Sequence, residues 1–236
     1  MSQGDELDAI RARYARRRAI TADRYSPLNP EVLARVHERQ RVMLALLGAH
    51  GIRSLQGLDI LEIGCGEGAN LLELIAFGAE PARLVGNELL DERVEAARRR
   101  LPEAVRLLGG DASALPLAPA SFDIVYQSTV FSSILDNALQ TRVAVAMWRS
   151  VRPGGGVLWY DFTYDNPSNR DVRGVPLARI RALFPEAAVS ARRITLAPPI
   201  SRRVVRLHPA LYGLFNALPL LRTHLLVWVS KPLNAS

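Results

Sequence analysis

Residues 61–70 read LEIGCGEGAN, a stretch that combines apolar residues, glycines and two glutamates. A short apolar run ends in three closely spaced glycines, Gly64, Gly66 and Gly68, and a helix-forming run follows them. A glycine turn between a strand and a helix lets the backbone approach a ligand, and the start of the helix offers unpaired N–H groups. Gly64, Gly66 and Ala69 also satisfy the pattern G-x-G-x-x-G/A of dinucleotide sites. The glycines therefore predict a nucleotide-type ligand without deciding which one.

From Leu58 onward, short apolar runs alternate with helical segments. Near-continuous apolar runs separated by helices predict a parallel sheet that is covered on both faces. The predicted strands are LDILEIG (58–64), RLVGNEL (83–89), VRLLGGDA (105–112), FDIVYQST (122–129), VLWYDFTY (157–164), VSARRITLA (189–197) and HLLVWVS (224–230). The helix that precedes the fifth strand is expected to close at RPGG, residues 152–155.

The remaining segments predict additions to this sheet. Residues 5–20 resemble a basic helix, and Asn29 followed by Pro30 predicts the start of a second helix that runs to about Leu47. Residues 197–222 are apolar and interrupted by prolines, which predicts a helical insertion before the last strand. We therefore divide the chain into a helical extension or lid at 1–50 and a ligand-binding domain at 51–236.

Three acidic residues discriminate between the ligands. Glu62 lies two residues before the first glycine, where it disfavours a pyrophosphate and favours the ammonium and sulfonium charges of S-adenosylmethionine. Glu88 ends the second strand, where a carboxylate accepts hydrogen bonds from ribose hydroxyls in both classes of site. Asp111 follows the third strand, and an acid there is not part of the dinucleotide fingerprint. The pattern favours S-adenosylmethionine over a nicotinamide dinucleotide.

Five segments in order, LEIGCGEGAN, VGNELLDERVEAAR, GGDASALP, SFDIVYQST and VRPGGGVLWYDF, resemble the motifs of class I S-adenosylmethionine-dependent methyltransferases. The resemblance covers about residues 57–165. It implies an α/β fold, a Rossmann-like doubly wound sheet of seven strands with an antiparallel last strand, plus N-terminal helices and a helical insertion. It also implies S-adenosyl-L-methionine as the cofactor.

The same resemblance implies roles for individual residues. The methionyl end of the cofactor would lie beside Glu62, Gly64, Cys65 and Gly66. The ribose and one adenine face would contact Glu88 and Leu89, the adenine edge Asp111 and Ala112, and Gln127 would lie beneath the sulfonium.

The outer segments resemble a bacterial subgroup of these enzymes that is associated with polysaccharide or natural-product biosynthesis. We carry over only the expectation of a sugar- or natural-product-like acceptor, methylated on an oxygen or a nitrogen. The apolar stretch 204–221 would also permit a lipid-linked acceptor and is expected to wall the acceptor site.

Catalytic residues are predicted from position. Asp161 ends the fifth strand near the expected acceptor zone, and Tyr164 is its neighbour, so the two are candidates for acid–base work. An N-terminal lid is expected around Tyr14 to Tyr25, because aromatic rings suit contact with a sulfonium. Asp161 is also a candidate cap for the turn that follows it.

The net charge of +7 leaves a second class of function open, an RNA or protein methyltransferase that uses a basic surface. We expect nucleic acid to be an improbable partner, since scattered arginine in an alanine- and leucine-rich chain is typical of a GC-rich coding sequence. A non-catalytic protein that retains the fold is a third possibility. A nicotinamide oxidoreductase is a fourth, opposed by Glu62 and Asp111.

Further features of the sequence predict the cellular compartment and argue against a metal site and a transmembrane segment. The single cysteine excludes an internal disulfide framework, and the start of the chain shows no secretion signal, so we expect a cytoplasmic protein. The four histidines are scattered, and we expect no metal site. Charged residues and prolines interrupt 197–222, which argues against a transmembrane segment. The oligomeric state is left open, with a dimer among the options.

Overall fold

The fold was determined as a computed structural model, and the structure describes residues 3–17, 26, 28–165 and 169–233. The helices are α1 (Gln3–Arg17), α2 (Pro30–Ala49), α3 (Ala69–Ala76), α4 (Asp91–Arg100), α5 (Asn137–Ser150), α6 (Leu177–Leu183), α7 (Pro198–Leu207) and α8 (Leu211–Asn216). The strands are β1 (Ile60–Ile63), β2 (Leu84–Glu88), β3 (Arg106–Gly109), β4 (Phe122–Ser128), β5 (Val151–Phe162), β6 (Ala188–Leu196) and β7 (Arg222–Ser230).

The seven strands form one sheet in the order β3-β2-β1-β4-β5-β7-β6. Strands β1 to β5 are parallel, and β7 runs antiparallel to both β5 and β6. From β1 the sheet extends to one side through β2 and β3, and then the chain crosses back so that β4 lies on the other side of β1. Open α/β sheets bind ligands at such a switch point in the strand order. The predicted fold class, a doubly wound seven-stranded sheet with an antiparallel last strand, is confirmed.

The two faces of the sheet carry separate cores because side chains alternate along each strand. Leu61 and Trp159 pack with α5 and α6 on one face. Ile60 and Tyr160 pack with α2 and α3 on the other. Burial on both faces explains why the strands read as continuous apolar runs.

One element differs from the sequence prediction. The expected turn at 152–155 belongs to β5, which begins at Val151; Gly154 has a positive φ of 82°, and the pairing with β4 shifts register between Phe122 and Ile124. A Cβ at Gly155 would lie 2.5 Å from the carbonyl oxygen of Asp123, so only glycine lets the strands approach here. The insertion before the last strand forms two helices, α7 and α8, and a 3₁₀ turn at Pro219–Leu221.

The start of α2 agrees with its sequence signals. The side chain of Asn29 accepts a hydrogen bond from the backbone N–H of Glu31, and Pro30 occupies the first turn. None of the helices in the described ranges combines the length and apolar composition that crossing a membrane requires.

Candidate active site

The glycine turn connects β1 to α3 at the carboxyl edge of the sheet. Gly64, Gly66 and Gly68 have φ values of 66°, 57° and 84°. A Cβ at Gly64 would lie 2.4 Å from a methyl carbon of Val130, in the loop after β4. Any side chain at this position would therefore meet both backbone strain and a steric clash. Glycine is therefore the residue that fits between the turn and the loop after β4 at position 64.

A cavity of about 130 Å³ opens beside this turn. Five of the sequence-predicted residues from the sheet edge line it: Gly64, Glu88, Leu89, Asp111 and Ala112. Tyr14, predicted as part of a lid, lines it as well, together with Leu7 and Ile10 of the same helix. The loop after β4 and the start of α5 complete the wall. Helix α1 thus roofs a space whose floor is the edge of β1, β2 and β4.

Glu88 is buried and holds two turns together. Its Oε2 accepts from the N–H of Gly66 at 2.9 Å, and its Oε1 accepts from the N–H of Leu90 at 3.1 Å. The guanidinium of Arg93, in the first turn of α4, lies 3.8 Å from the same carboxylate. Arg93 also lies over the ring of Tyr14, with its Cζ 5.3 Å from the ring centroid. Arg93 therefore joins the carboxylate at the floor to the aromatic ring in the roof.

Asp111 shapes the loop after β3. Its carboxylate accepts from the backbone N–H of Ser113 at 2.9 Å and from the Ser113 hydroxyl at 2.7 Å. The residue begins a short 3₁₀ helix at Ala112–Ala114 and remains half-buried at the cavity wall.

Glu62 is fully buried on the opposite face of the sheet and does not line the cavity. Its Oε1 accepts from the amide of Asn70 at 2.6 Å. The Oε2 atom is buried and has no hydrogen-bond partner among the described residues. Burial raises the pKa of Glu62 to about 7, against the opposing effects of the Asn70 hydrogen bond and the Arg39 charge. An unpaired buried carboxylate oxygen favours a cation or a hydrogen-bond donor beside it.

Arg39 of α2 belongs to the same buried polar cluster as Glu62 and Asn70 and connects α2 to α3. Its guanidinium donates to Asn70 at 3.0 Å and to Glu73 at 2.8 Å. Its Cζ lies 5.6 Å from the ring centroid of Tyr160 in β5. The sequence predicts a role for neither Arg39 nor Arg93, because neither lies in the glycine turn or at a strand end.

Cys65, Gly66 and Gln127 also lie outside the cavity wall. The N–H of Cys65 donates to the carbonyl of Asn87 at 2.8 Å, and burial raises the pKa of its thiol. Gln127 is fully buried; its Oε1 accepts from the N–H of Val130 at 3.1 Å. Cys65 thus connects the glycine turn to β2, and Gln127 fixes the loop after β4.

Asp161 is fully buried beneath the loop after β4. Its Oδ2 accepts from the N–H of Ser132 at 3.0 Å, and its Oδ1 accepts from the N–H of Phe162 at 2.8 Å. Burial raises the pKa of Asp161 to about 6, although these hydrogen bonds lower it. Both carboxylate oxygens are thus committed to backbone groups.

Tyr164 lies at the surface, with 48% of its area exposed. Its hydroxyl accepts a hydrogen bond from Arg193 of β6, whose guanidinium also lies over the ring. Neither Tyr164 nor Asp161 lines the cavity. Tyr25, the second predicted lid residue, lies outside the described residues.

Comparison with known proteins agrees with this geometry. Residues 60–155 match the family described as "Methyltransferase domain". The chain is 31% identical over 192 residues to a trans-aconitate 2-methyltransferase of Afipia carboxidovorans, a match that covers 81% of this chain and 67% of the relative. It is 33% identical over 142 residues to the O-methyltransferase cnsE of Penicillium expansum, covering 58% of this chain and 48% of the relative. The chain thus spans about half to two thirds of the length of these two relatives.

Solved structures share the fold. An S-adenosylmethionine-dependent methyltransferase from Mesorhizobium loti superposes with a TM-score of 0.60 at 18% identity, covering 86% of this chain and 98% of the other. A phosphoethanolamine N-methyltransferase 2 from Haemonchus contortus, in complex with S-adenosyl-L-methionine, superposes with a TM-score of 0.60 at 18% identity, covering 81% of this chain and 52% of the other. The motif order, the sheet topology and these matches together place the chain among the class I S-adenosylmethionine-dependent methyltransferases.

Proposed function

We propose that this enzyme transfers a methyl group from S-adenosylmethionine to an oxygen, or a nitrogen, of a small acceptor. The observation that carries the proposal is the narrow cavity at the switch point of the sheet, roofed by α1. A roof of this kind suits a small acceptor better than a folded nucleic acid or protein. The name of the Afipia relative, trans-aconitate 2-methyltransferase, supports a small-molecule acceptor.

The residues of the site fit the cofactor on two observations. The buried, unpartnered Oε2 of Glu62 suits the ammonium charge at the methionyl end. The glycine at 64 keeps a side chain out of the space between the turn and Val130. We propose that the turn at Gly64, Cys65 and Gly66 holds the methionyl end and that Glu62, on the other face of β1, favours its ammonium group through its charge.

The remaining cofactor contacts follow from the cavity wall. We propose that Glu88 accepts hydrogen bonds from the ribose hydroxyls and that Asp111 accepts from the adenine amino group. Leu89 and Ala112 would contact the faces of adenine, and Gln127 would fix the loop after β4 below the sulfonium. Tyr14 would close the site from α1, and Tyr25 is proposed as a further lid residue.

S-adenosylmethionine supplies an electrophilic methyl group on a positively charged sulfur. The protein's contribution is to hold the acceptor in line with that methyl, and positioning alone provides effective molarities of about 10⁵–10⁸ M. We propose that Asp161 acts by positioning the loop at Thr129–Ser133, because both its oxygens bind backbone N–H groups. Tyr164 with Arg193 is proposed to contact the acceptor and remains the candidate for proton transfer.

We further propose that the acceptor belongs to polysaccharide or natural-product biosynthesis and that the enzyme acts in the cytoplasm. The test is an incubation with methyl-labelled S-adenosylmethionine and fractionated host extract, followed by mass analysis of labelled products. The proposal expects label in small molecules, and less label with Glu88→Ala at a limiting concentration of S-adenosylmethionine. If the label entered only RNA or protein, the small-acceptor proposal would be wrong, and the alternative of an RNA or protein methyltransferase that uses a basic surface would be favoured.

A further inference from the structure

The two helices before the last strand expose an unusual amount of apolar surface. Leu207, Leu214, Leu218 and Leu220 are 80%, 66%, 55% and 87% exposed, and we call these four residues the leucine surface. They extend from the end of α7, along α8, to the following 3₁₀ turn. Clustered exposed leucines mark an interaction site, whereas single exposed leucines are ordinary.

The segment that carries these leucines is positively charged. The sequence holds no aspartate or glutamate after Glu186, but it holds six arginines and one lysine there. Arg202, Arg203 and Arg206 are exposed on α7, directly before Leu207. The nearest described carboxylate is that of the buried Glu31, 3.9 Å from Arg202. A cationic border beside an apolar surface is complementary to an anionic, apolar partner.

The helices that carry the leucine surface are packed and hydrogen-bonded on their inner sides. Val204, Val205 and Tyr212 are buried beneath it. Glu38 of α2 accepts from the Tyr212 hydroxyl at 2.7 Å and from the Asn216 amide at 2.6 Å. Glu31, also on α2, accepts from the Ser201 hydroxyl at 2.8 Å. These contacts fix the inner sides of α7 and α8 and leave the leucines facing outward.

Topology places this surface at the edge of the sheet that also carries the cofactor cavity. Strand β6 runs parallel to β5, so its last residue, Leu196, and the first residue of β7, Arg222, both lie at the carboxyl edge of the parallel strands. Helices α7 and α8 connect these two points. A membrane or partner bound here would therefore lie at the same edge of the sheet as the cofactor cavity.

We propose that the leucine surface docks on an anionic lipid bilayer, with the four leucines at the acyl boundary and the α7 arginines among the headgroups. Leucine side chains enter the headgroup region of a membrane, and basic residues beside them are attracted by anionic lipids. The charge decides the occupant: a second copy of this chain would place one cationic segment against another.

The test measures sedimentation of the full chain with vesicles. We expect binding to vesicles that contain phosphatidylglycerol, at least tenfold weaker binding to pure phosphatidylcholine, and a decrease in binding with added salt. Leu214→Glu should reduce binding at least tenfold. Val145→Glu is the matched control, because Val145 is 60% exposed on α5, away from the leucine surface, and this change should have no effect.

A second pair of variants tests the charge. Arg203→Glu with Arg206→Glu should weaken binding to anionic vesicles, whereas Arg99→Glu on the exposed side of α4 should not. Thermal stabilisation by S-adenosylhomocysteine should be equal in wild type and in all variants, which shows that each is folded.

Two results would overturn the docking proposal. One is equal binding of wild type and Leu214→Glu to anionic vesicles. The other is a lipid-free dimer that Leu214→Glu dissociates, without any vesicle binding. Neither result bears on the proposed methyl transfer, because the readout contains no acceptor.

Discussion

At the scale of single residues, Glu88 links the glycine turn to the start of α4. Because its carboxylate accepts from Gly66 and Leu90, Glu88→Ala should loosen both turns and remove the proposed ribose contact. Hydrogen bonds to a charged group contribute about 1.5–3 kcal/mol each, so we expect S-adenosylmethionine to bind about 10- to 100-fold more weakly. Isothermal titration calorimetry measures this change.

The matched control is Glu95→Ala, which removes an exposed glutamate from the same region. It should leave the affinity unchanged. Wild-type affinity in Glu88→Ala would show that the cofactor does not contact Glu88.

Substitution of Asp161 distinguishes a positioning role of this residue from a catalytic one. Asp161→Asn replaces one accepting oxygen by an amide donor beside a backbone N–H, so we expect the free energy of unfolding to fall by about 1–3 kcal/mol. A catalytic base contributes about 10²–10⁴ in rate and would impose its own pKa on the pH profile of kcat. A positioning residue leaves the shape of that profile unchanged.

Denaturant unfolding and the pH dependence of kcat together check this prediction. A wild-type profile with an ionisation near pH 6 that disappears in Asp161→Asn would restore Asp161 to a catalytic role.

At the scale of elements, α1 is fastened over the cavity by one buried arginine. Arg13 donates to Glu6 at 2.7 Å and to the carbonyl of Ser133 at 3.1 Å, and Glu6 accepts from the N–H of Leu135. Arg13→Ala leaves Glu6 buried without its cation, so α1 should detach more often from the loop after β4. We expect faster amide hydrogen exchange in α1 and faster release of S-adenosylhomocysteine.

Arg11→Ala is the control for α1, because Arg11 is exposed and pairs with the exposed Asp8. It should change neither rate. Unchanged exchange in Arg13→Ala would mean that apolar packing of Ile10 and its neighbours holds the roof alone.

Some elements can be predicted from the sequence, and others cannot. The strands and the glycine turn were predictable, because apolar runs and closely spaced glycines are local signals. The extended start of β5 was not, since it depends on the close approach of Gly155 to the carbonyl of Asp123. The commitment of Asp161 to Ser132 was also not predictable, because it joins residues 29 positions apart.

For the candidate site, the sequence predicts cofactor contacts for four residues on different strands. Glu88 and Asp111 line the cavity, and Glu62 and Gln127 do not. The strand alternation turns Glu62 to the face of α2 and α3, where Arg39 and Asn70 surround it. No motif signals Arg39, since its role depends on how α2 packs against the sheet.

At the scale of the whole molecule, the pH dependence of stability has contributions from two buried acids and, in the opposite direction, from the buried His224, whose pKa burial lowers from 6.5 to about 3. Burial raises the pKa of Glu62 from 4.5 to about 7 and that of Asp161 from 3.8 to about 6. Between its unfolded and folded pKa values, each acid binds a proton in the folded state that it has released in the unfolded state, so the contribution of the two acids to the free energy of unfolding falls as pH rises from about 4 to about 7. This contribution is fully present at the acid end of the window and lost at its upper end. The contribution of His224 rises with pH between about 3 and 6.5, because the unfolded imidazole binds a proton there that the folded one does not.

Denaturant unfolding at pH 5 and pH 8 measures the effect without cofactor. Removal of the Glu62 carboxyl isolates its contribution: from pH 5 to pH 8, wild type should lose more stability than Glu62→Gln, by an amount on the order of a few kcal/mol. Glu95→Gln should retain the wild-type pH dependence. The same pH dependence in wild type and Glu62→Gln would contradict the prediction.

Helix α2 carries two neighbouring residues that face different parts of the protein. Glu38 holds Tyr212 and Asn216 of α8, and Arg39 holds Asn70 and Glu73 of α3, which begins at the glycine turn. A ligand at either end that shifts α2 therefore changes the free energy of binding at the other end. Thermodynamic linkage makes this coupling reciprocal. S-adenosylhomocysteine should alter the affinity for anionic vesicles by the same factor by which the vesicles alter the affinity for S-adenosylhomocysteine, and Glu38→Gln should reduce both factors together.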